Sequence, residues 1–346
     1  MADEQLTYRD AGVDIGGAER ALRAVLPSIQ ATYTEDVLAG VGGFGGLFRA
    51  NFEGMERPVL VSSIDGVGTK TKVAAMAGQF GGLGADIVNH CVNDILCQGA
   101  RPLFFMDYFA SARLEGEVFA AVIESAAAAC KACGTALLGG ETAEMPGVYH
   151  DGEIDLVGSI VGVVDSELRF PRGKILPGDA VIGIASDGLH TNGFTLARRA
   201  LFEHGGLSVR DELPGIEGTL GEALLRPHKC YFGTVHPMLQ SINGVRGIAH
   251  ITGGGLHGNV PRAMHANVQA VIDRRSWSPP PLFKLIQETG QINDQEMFTT
   301  FNMGIGMVLV VAKDVAGDVV DALNGAGEAA AKIGYIQSGA NDVQII

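Results

Sequence analysis

A glycine-rich loop with an acid and a lysine follows the apolar run at residues 58–61. The residues of this loop that could take part in binding or catalysis are Asp65, Gly66, Gly68, Thr69 and Lys70. Glycine lets backbone N–H groups approach an anion, and lysine adds a positive charge. Because Thr69 precedes Lys70, the loop lacks the Gly-Lys-Ser/Thr ending of the usual phosphate loop. We therefore predict a phosphate site that other segments of the chain complete.

Polar residues also form a stripe along residues 85–96 of a helix predicted at 85–100. Asp86, His90, Asn93 and Asp94 recur at helical spacing, and the segment contains no lysine or arginine. Such a stripe suits a hard cation such as Mg²⁺, which binds carboxylates, water and substrate phosphates. Helix capping with buried hydrogen bonding explains the stripe about equally well when the helix is considered alone.

Two further acids, Asp107 and Glu141, follow apolar runs in the way that Asp65 does. We expect these strand ends to meet on one rim, where the acids would repel one another without a cation. Mg²⁺ would neutralise the acids and bridge them to phosphoryl oxygens. The prediction is a metal site of Asp65, Asp94 and Glu141, with Lys70 on the phosphates.

Two loops in the second half could bind the rest of a phosphorylated substrate. His190 lies in "SDGLHTNGF", before a predicted helix whose N-terminus attracts anions. His190 is a candidate hydrogen-bond donor to a phosphate, or a candidate acid–base group. The alternative is a loop histidine that only forms hydrogen bonds with backbone groups. His250 precedes the glycine run 253–255, which predicts either an anion cradle or a plain tight turn.

The composition indicates a globular chain with an acidic surface. The chain has 346 residues, of which 47% are hydrophobic and 18% charged, and its net charge is −14. This charge argues against nucleic acid or an anionic membrane as a partner. No run reaches 18 apolar residues, so we expect no membrane span. The first twelve residues are unlike a signal peptide, and five irregularly spaced cysteines fit a reducing cytoplasm.

Alternating strand and helix patterns predict an α/β (α+β) fold with two domains, 1–168 and 169–346. Strands are predicted at 58–65, 102–110, 135–141 and 154–165, and helices at 69–78, 85–100 and 116–134. The proline-containing segment 166–180 separates the two halves. "AVIGIASDGLHTNGF" has the same pattern as "VLVSSIDGVGTKTK", and "HITGGG" is similar to "LLGGE". These pairs predict a weak internal repeat, for which coincidence between glycine-rich strand ends is the alternative.

The segment "GVGGFG" at 40–45 matches a dinucleotide-binding fingerprint, and Asp65 follows at a suitable distance. The fingerprint requires a strand before the glycines and a helix after them. No strand is predicted before residue 40, and 47–65 is predicted as a strand hairpin. We therefore exclude an oxidoreductase with a dinucleotide cofactor.

Eight phrases along nearly the whole chain resemble the phosphoribosylformylglycinamidine cyclo-ligase family. They are "YRDAGVDI" (8–15), "GGFGGLF" (42–48), "DGVGTK" (65–70), "CVNDIL" (91–96), "GGETAEMPGVY" (139–149), "GLHTNGF" (188–194), "HITGGG" (250–255) and "FNMGIGM" (301–307). The phrase "DGVGTK" is shared loosely with a wider superfamily that includes selenophosphate synthetase and thiamine-monophosphate kinase. "GGETAEMPG" together with "HITGGG" is far more specific to the cyclo-ligase.

The resemblance implies an ATP- and Mg²⁺-dependent reaction of purine biosynthesis. ATP phosphorylates the formamide oxygen of formylglycinamidine ribonucleotide to an iminophosphate, and ring closure then gives aminoimidazole ribonucleotide, ADP and phosphate. The resemblance also implies a homodimer in which a mixed sheet of the N-terminal domain closes a barrel with its partner. The C-terminal α/β domain would cover the substrate side.

Site roles follow from the resemblance and from the residue types together. The expected catalytic residues are Asp65, Lys70, Asp94 and His190. The expected ATP and phosphate ligands are Gly66, Gly68, Thr69, Lys70, Asn93, Asp107, Glu141 and Thr142. The expected substrate ligands are His190, Thr191, Asn192, His250, Gly253 and Gly254.

This sequence departs from the family pattern in two places. Ser63-Ile64 precede Asp65 where many relatives carry Gly-Thr, and no lysine or arginine occurs between Arg23 and Arg49. A role in ATP binding for a lysine or arginine of that segment therefore cannot be transferred from the family to this chain. Another small-molecule kinase or synthetase of the superfamily is the alternative function, and the phrases "GGETAEMPG" and "HITGGG" argue against it. A catalytically silent nucleotide-binding oligomer is less consistent with the intact set of acids.

Overall fold

A computed structural model describes residues 7–167, 170 and 172–346 of the chain. Residues 1–6 and the predicted boundary between 168 and 169 lie outside this description. The described residues form a two-domain, mixed α/β structure with two separate main sheets. Each sheet is open, so the described part of one chain contains no closed barrel. Among the described helices, none combines the length and apolarity that crossing a membrane would require.

The N-terminal half contains a four-stranded sheet with helices on one of its faces. Its elements are α1 (Ile15–Gln30), β1 (Val37–Ala39), β2 (Leu47–Phe48), β3 (Pro58–Gly66), α2 (Lys70–Ala77), α3 (Leu83–Leu96), β4 (Arg101–Ser111), α4 (Gly116–Ala132), β5 (Ala136–Glu144) and β6 (Ile154–Asp165). The strand order is β3-β6-β4-β5. The β3–β6 and β4–β6 pairs are antiparallel, whereas β4 and β5 are parallel. Strand β3 is therefore an edge strand.

The C-terminal half contains a six-stranded sheet. Its elements are β7 (Ala180–Ala185), α5 (Phe194–Arg198), α6 (Leu220–Leu225), α7 (Phe232–Ser241), β8 (Val245–His250), α8 (Gly255–Ala263), β9 (Val268–Ile272), α9 (Pro281–Gly290), α10 (Asp294–Thr300), β10 (Ile305–Val311), α11 (Ala316–Gly325), β11 (Ala330–Ser338) and β12 (Val343–Ile345). The strand order is β12-β9-β11-β7-β10-β8. A π-helical turn, Arg199–His204, continues α5.

The strands and helices predicted in the first half are confirmed, with bounds that differ by a few residues. The predicted hairpin at 47–65 is wrong, because β2 pairs with β1 and not with β3. A short strand, β1, does precede Gly40, contrary to the prediction. No helix follows those glycines before α2, so the strand-turn-helix setting of a dinucleotide site is still missing.

The internal repeat is confirmed for one pair of phrases and not for the other. Both β3 and β7 run into a loop and then a helix, and the two loops meet where Thr69 Oγ1 and Thr195 Oγ1 lie 2.9 Å apart. "HITGGG" leads from β8 into α8, whereas "LLGGE" lies inside β5 and no helix follows it directly. The likeness of the second pair therefore reflects only glycine content.

The polar stripe of α3 is buried between the two halves of the chain. Asn93 Nδ2 donates to the backbone oxygen of Lys229 at 2.7 Å, and Asn93 Oδ1 accepts from the N–H of Tyr231 at 2.9 Å. Asn89 Nδ2 donates to the backbone oxygen of His228 at 2.7 Å. These side chains satisfy backbone groups of the segment after α6, which would otherwise be buried without partners. The stripe is therefore an interdomain contact as well as part of the candidate site.

The opposite side of α3 packs closely on α4, and Gly84 makes this approach possible. A Cβ atom at residue 84 would overlap the backbone of Val122 and Ala126 in α4. Gly233 occupies the same second position in helix α7, but a Cβ atom there would meet nothing within 4 Å. These two glycines thus separate a packing requirement from helix propensity.

We predict that Gly84→Ala lowers the free energy of unfolding by about 1–3 kcal/mol, because α3 and α4 must move apart. Gly233→Ala is the matched control, and it should leave stability unchanged or raise it by up to about 1 kcal/mol. Urea unfolding of both variants and the unmodified protein measures the difference. Equal midpoints for the two variants would show that the α3–α4 contact tolerates a methyl group.

Candidate active site

Two carboxylates from different elements meet in the cleft between the domains. Asp65 comes from the end of β3 and Asp94 from the last turn of α3. The hydroxyl oxygen of Ser63 lies 3.3 Å from Asp65 Oδ2 and 3.1 Å from Asp94 Oδ2. Burial and the neighbouring charge of Asp94 raise the pKa of Asp65 to about 7. Burial acts to raise the pKa of Asp94 as well, but the hydrogen bond and charge of His250 hold it below its usual range.

Such a pair fits a bound cation. When two carboxylates lie this close, their repulsion favours a shared proton or a positive ion between them. The sequence prediction that Asp65 and Asp94 lie together agrees with this geometry. Their assignment as metal ligands stays a prediction.

Four buried histidines surround the acid pair. His90 belongs to α3, His190 to the loop after β7, His228 to the segment after α6, and His250 to the end of β8. All four are less than 5% exposed. Burial lowers the pKa of His90 to about 4 and moves the pKa values of His190 and His228 well below their ordinary value. These three rings are therefore neutral near pH 7.

Polar contacts join three of these rings to the acid pair. His90 Nε2 lies 3.4 Å from Asp65 Oδ1, and His90 Nδ1 lies 2.8 Å from the hydroxyl of Thr191. The same hydroxyl lies 3.2 Å from His228 Nδ1, and His228 Nε2 lies 2.8 Å from His250 Nε2. His250 Nδ1 lies 2.8 Å from Asp94 Oδ1. The result is a chain of polar contacts from Asp65 to Asp94 that crosses both domains.

His190 stands beside this chain and not within it. Its backbone has φ 62°, which is unusual for a residue with a Cβ atom. Its ring stacks on His228 with centroids 4.0 Å apart. Its Nδ1 is buried without a hydrogen-bond partner among the described residues. This strained and incompletely bonded conformation is consistent with a functional position.

A cavity of about 320 Å³ opens beside the acid pair. Asp94, His250, Ser63 and Arg262 all contribute to its wall. The guanidinium Nη1 of Arg262 donates to Asn259 Oδ1 at 3.2 Å, which fixes the side chain at the cavity. The cavity therefore has a carboxylate with an imidazole and, separately, a guanidinium that can bind an anion.

Lys70 lies in the interior, although the sequence predicts it on the phosphates. Its Nζ donates to Asp86 Oδ1 at 2.8 Å, to the backbone oxygen of His190 at 3.1 Å and to that of Arg226 at 2.7 Å. The side chain is fully buried, and these bonds use all three ammonium donors. In this arrangement Lys70 supports the loop, and no ammonium hydrogen is free for a phosphate.

Asp107 and Glu141 do not join Asp65 and Asp94, and both lie within strands instead of at a shared rim. Asp65 and Asp107 are each paired with Gly158 of β6, so they lie on one face of the sheet with β6 between them. Burial raises the pKa of Asp107 to about 7. Glu141 pairs with Tyr108, one position further along, so it projects from the opposite face. The structure therefore does not support a metal site that includes Glu141 of the same chain.

The remaining predicted residues lie in the loop before α2, in the loops around α8 and in β5. Gly66, Gly68 and Thr69 form the loop before α2, where Gly68 has φ 66°. Asn192 Oδ1 would lie 3.3 Å from a Cβ atom placed on Gly253, so the two loops of the second half adjoin each other. Gly254 has φ 96° at the start of α8. Thr142 is in β5, where its backbone N–H donates to Glu141 Oε1 at 2.9 Å.

Three participants are not predicted from the sequence. Ser63 stands out there only as a departure from the family pattern, yet its hydroxyl bridges the two acids. His228 lies in "RPHKC", a segment without any recognisable pattern, so only the three-dimensional structure reveals it. Arg262 follows a proline inside α8 and resembles an ordinary surface residue in the sequence.

The sequence and fold place the chain among known proteins. Residues 52–164 match the family described as AIR synthase related protein, N-terminal domain, and residues 177–346 match its C-terminal domain. The chain therefore belongs to the AIR synthase related family.

Curated relatives match over their full length. A phosphoribosylformylglycinamidine cyclo-ligase from Alkaliphilus metalliredigens is 46% identical over 99% of this chain and 99% of its own. One of the same name from Geotalea uraniireducens is 44% identical over 100% of both chains.

Solved structures with lower identity share the fold. Thiamine-monophosphate kinase from Stenotrophomonas maltophilia K279a has a TM-score of 0.69 and 18% identity over 93% of this chain and 95% of that one. Hydrogenase maturation protein HypE, in complex with ATP, has a TM-score of 0.64 and 17% identity over 95% of this chain and 90% of that one. At this level of identity the likeness concerns the fold alone.

We predict that Lys70→Met lowers the free energy of unfolding by about 3–5 kcal/mol, because it leaves the carboxylate of Asp86 buried without its cation. Lys72→Met on the same helix is the control. Lys72 pairs with Glu153 near the surface, so its loss should change stability by no more than about 1 kcal/mol. Urea unfolding compares the two variants. Similar losses in both would show that the buried pair contributes no more than a surface one.

Proposed function

We propose that this chain catalyses the ATP-dependent ring closure of formylglycinamidine ribonucleotide to aminoimidazole ribonucleotide, with ADP and phosphate as the other products. Full-length relatives that are 44–46% identical bear the name of this reaction. The observation that carries the proposal within the structure is the acid pair, Asp65 with Asp94, beside a cavity with a fixed arginine. The alternative of a related small-molecule kinase is not favoured, since its support is a fold likeness at 18% identity.

The acid pair is the best candidate to hold Mg²⁺ in this reaction. Its two carboxylates from separate elements are suitable oxygen ligands, and a cation between them would relieve their mutual repulsion. When bound, Mg-ATP supplies the phosphoryl group that converts the formamide oxygen into a leaving group. Asp65 and Asp94 orient the reacting groups, and the Ser63 hydroxyl, which contacts both carboxylates, fixes their relative position.

The loop 66–70 is the best candidate to contact the ATP phosphates. None of the hydrogen bonds among the described residues uses the backbone N–H of Gly68, Thr69 or Lys70. These donors stand at the start of α2, where an anion is favoured. Lys70 does not contact the phosphates in this arrangement; it fixes the loop to the second domain through its buried hydrogen bonds. The complex of HypE with ATP is consistent with nucleotide binding on this fold.

The cavity is the best candidate for the ribonucleotide substrate. Arg262 can pair with its phosphate, while Asn259 of the cavity wall bonds to the backbone oxygens of Gly253 and Gly255. His190 and Thr191 come from the adjoining loop and fix the cleft on the side of the second domain. A bound substrate would thus lie next to Asp94, where the activating phosphoryl group is expected. The predicted cytoplasmic location accords with an enzyme of nucleotide synthesis and stays a prediction.

We further propose that the chain forms a homodimer through the face of the four-stranded sheet that lies opposite α3 and α4, where β3 is exposed and the β1–β2 segment packs only over β4 and β5. Helices α3 and α4 cover the other face, whereas Leu60 is 62% exposed and Ile64 is 68% exposed on edge strand β3. Met106 lies in the same row as Ile64 and is also exposed. An apolar sheet face with an unpaired edge is a favourable surface for strand pairing with a second copy. Two such sheets could close the expected barrel.

We predict that Ile64→Asp converts a dimer to a monomer, because it places a charge in the apolar face. Leu176→Asp is the control, since Leu176 is also exposed, at 51%, but lies in the turn before β7. Light scattering during size-exclusion chromatography measures the mass. A dimeric Ile64→Asp variant, or a monomeric unmodified protein, would contradict the proposed interface.

We predict that Asp94→Asn reduces formation of ADP and aminoimidazole ribonucleotide by at least about 100-fold. The reason is that the metal ion that binds the phosphoryl group would lose one of its carboxylate ligands. The assay supplies formylglycinamidine ribonucleotide with Mg-ATP and follows both products. Asp318→Asn, which alters an exposed acid on α11, should keep full activity. Near-normal turnover in Asp94→Asn, with an unchanged melting temperature, would remove Asp94 from the site. No ADP from the unmodified protein would refute the function itself.

A further inference from the structure

We infer that Cys133 and Cys230 form a reversible disulfide bond that joins the two domains when a low-molecular-weight disulfide is present as the oxidant. Cys133 is the residue that follows α4 in the first domain, and Cys230 lies between α6 and α7 in the second. Neither cysteine belongs to the residues to which the proposed function assigns ATP or substrate. The pair is therefore a modification site in addition to the candidate active site.

The two sulfur atoms are already in contact. Cys133 Sγ lies 3.5 Å from Cys230 Sγ, although the residues are 97 positions apart in the chain. A disulfide bond requires about 2.05 Å between the sulfurs, so each atom would move by less than about 1 Å. Rotation of the two side chains can supply a movement of this size.

Helix α3 fixes the position of both cysteines. The side chain of Asn93 holds the residues on either side of Cys230, because it donates to the backbone oxygen of Lys229 and accepts from the N–H of Tyr231. The backbone N–H of Cys133 donates to carbonyls in the last turn of α4, and α4 packs closely on α3. The contact between the sulfurs is thus a consequence of how the second half docks on α3.

The other three cysteines are less suitable as partners. Cys91 and Cys97 donate to backbone oxygens, at 3.5 Å and 3.4 Å respectively. Cys130 shares α4 with Cys133, but it is fully buried in the core. Cys133 and Cys230 are both only half-buried. A small oxidant in solution therefore reaches this pair more readily than the buried thiols.

The contact also prepares one sulfur for reaction. The hydrogen bond with Cys133 lowers the pKa of the Cys230 thiol, although burial acts in the opposite direction. The same hydrogen bond, together with burial, raises the pKa of Cys133 well above its ordinary value. The thiolate is the nucleophile in thiol–disulfide exchange. Cys230 therefore reacts first, and Cys133 resolves the product.

Oxidation by a small disulfide, RSSR, consists of two exchanges. The Cys230 thiolate attacks one sulfur of RSSR, forms a Cys230–SR bond and releases RS⁻. Cys133 then loses its proton to solvent and attacks the Cys230 sulfur, which forms the Cys133–Cys230 bond and releases the second RS⁻. The two protein thiols are oxidised and RSSR is reduced to two RSH, which take up the two protons that the cysteines have lost. An excess of RSH reverses both exchanges.

The bond would close a covalent ring that contains the connection between the domains. The ring runs from Cys133 through β5, β6, β7, α5 and α6 to Cys230. Closing so long a loop removes much conformational freedom from the unfolded chain, so the oxidised protein should resist unfolding. The segment that carries His228, two positions before Cys230, would also stay against the first domain. Disulfides in a reducing compartment are transient, so the bond would protect the interdomain contact during oxidation.

Oxidation of the purified full-length protein tests this pairing. The protein is reduced with dithiothreitol, desalted and incubated with oxidised glutathione as RSSR. Trypsin cleaves after Lys131 and Lys229, so non-reducing mass spectrometry distinguishes the possible partners of Cys133. We expect peptide 132–169 linked to peptide 230–246, and loss of two of the five free thiols. Dithiothreitol should restore both thiols. The melting temperature should rise by about 5 °C on oxidation.

Two variants assign the roles of the cysteines. Cys133→Ser should retain glutathione on Cys230, with no linked peptides and no rise in melting temperature. Cys97→Ser is the matched control, because Cys97 is also half-buried and follows a helix of the first domain, and it should form the link as the unmodified protein does.

Three results with the unmodified protein would overturn the inference, whether or not the variants fold. They are retention of all five free thiols, a stable glutathione adduct without a link to Cys133, and a bond between Cys130 and Cys133. None of these measurements uses ATP or substrate. A protein that makes the ring product without forming the disulfide retains the proposed function and loses the modification site. One that forms the disulfide but produces no ADP from formylglycinamidine ribonucleotide retains the modification site and loses the proposed function.

Discussion

The relative position of the two domains depends on the buried ion pair between Lys70 and Asp86. Transfer of two charges from water to the interior is unfavourable unless every donor and acceptor has a partner. Lys70 satisfies this condition with backbone oxygens from two segments of the second half. Asp86 accepts through Oδ1 alone, from Lys70 and from the N–H of His228 at 2.7 Å, and its Oδ2 is buried without a hydrogen-bond partner among the described residues. The contacts with the second half thus hold its loops against α2 and α3. The distances among the acids and histidines of the cleft are consequences of that attachment.

The first sheet imposes a second constraint on the site. Asp65 faces α3 because residues 63 and 65 of β3 lie on the helix side, while Leu60 and Ile64 lie on the other. The same alternation places Glu141 away from the acid pair. One strand thus directs an acid to the cleft and an apolar surface to the outside. Catalysis and association of two chains would use opposite faces of the same strand.

The sequence was sufficient for the elements of the first half and for the meeting of Asp65 with Asp94. Long apolar periodicities specify strands and helices locally, and glycine-rich strand ends identify the loops. The sequence was insufficient to predict the partner of Lys70, because a lysine on a glycine-rich loop has the same local pattern whether it contacts a phosphate or a buried acid. It was also insufficient for Glu141, whose face depends on strand register, and for His228, which reaches the site only through the docking of the second half. Each of these depends on contacts between distant segments.

The polar stripe of α3 has a consequence for synthesis of the chain on the ribosome. The first half is complete well before residues 226–231, which cover Asn89 and Asn93, have been made. During that interval the future interdomain surface is rich in amide and carboxylate groups, which remain compatible with water. A hydrophobic interface of the same extent would expose an aggregation-prone apolar surface to other nascent chains. The hydrogen-bonded part of the interdomain contact therefore limits the apolar surface that the half-made protein exposes, as well as fixing the finished cleft.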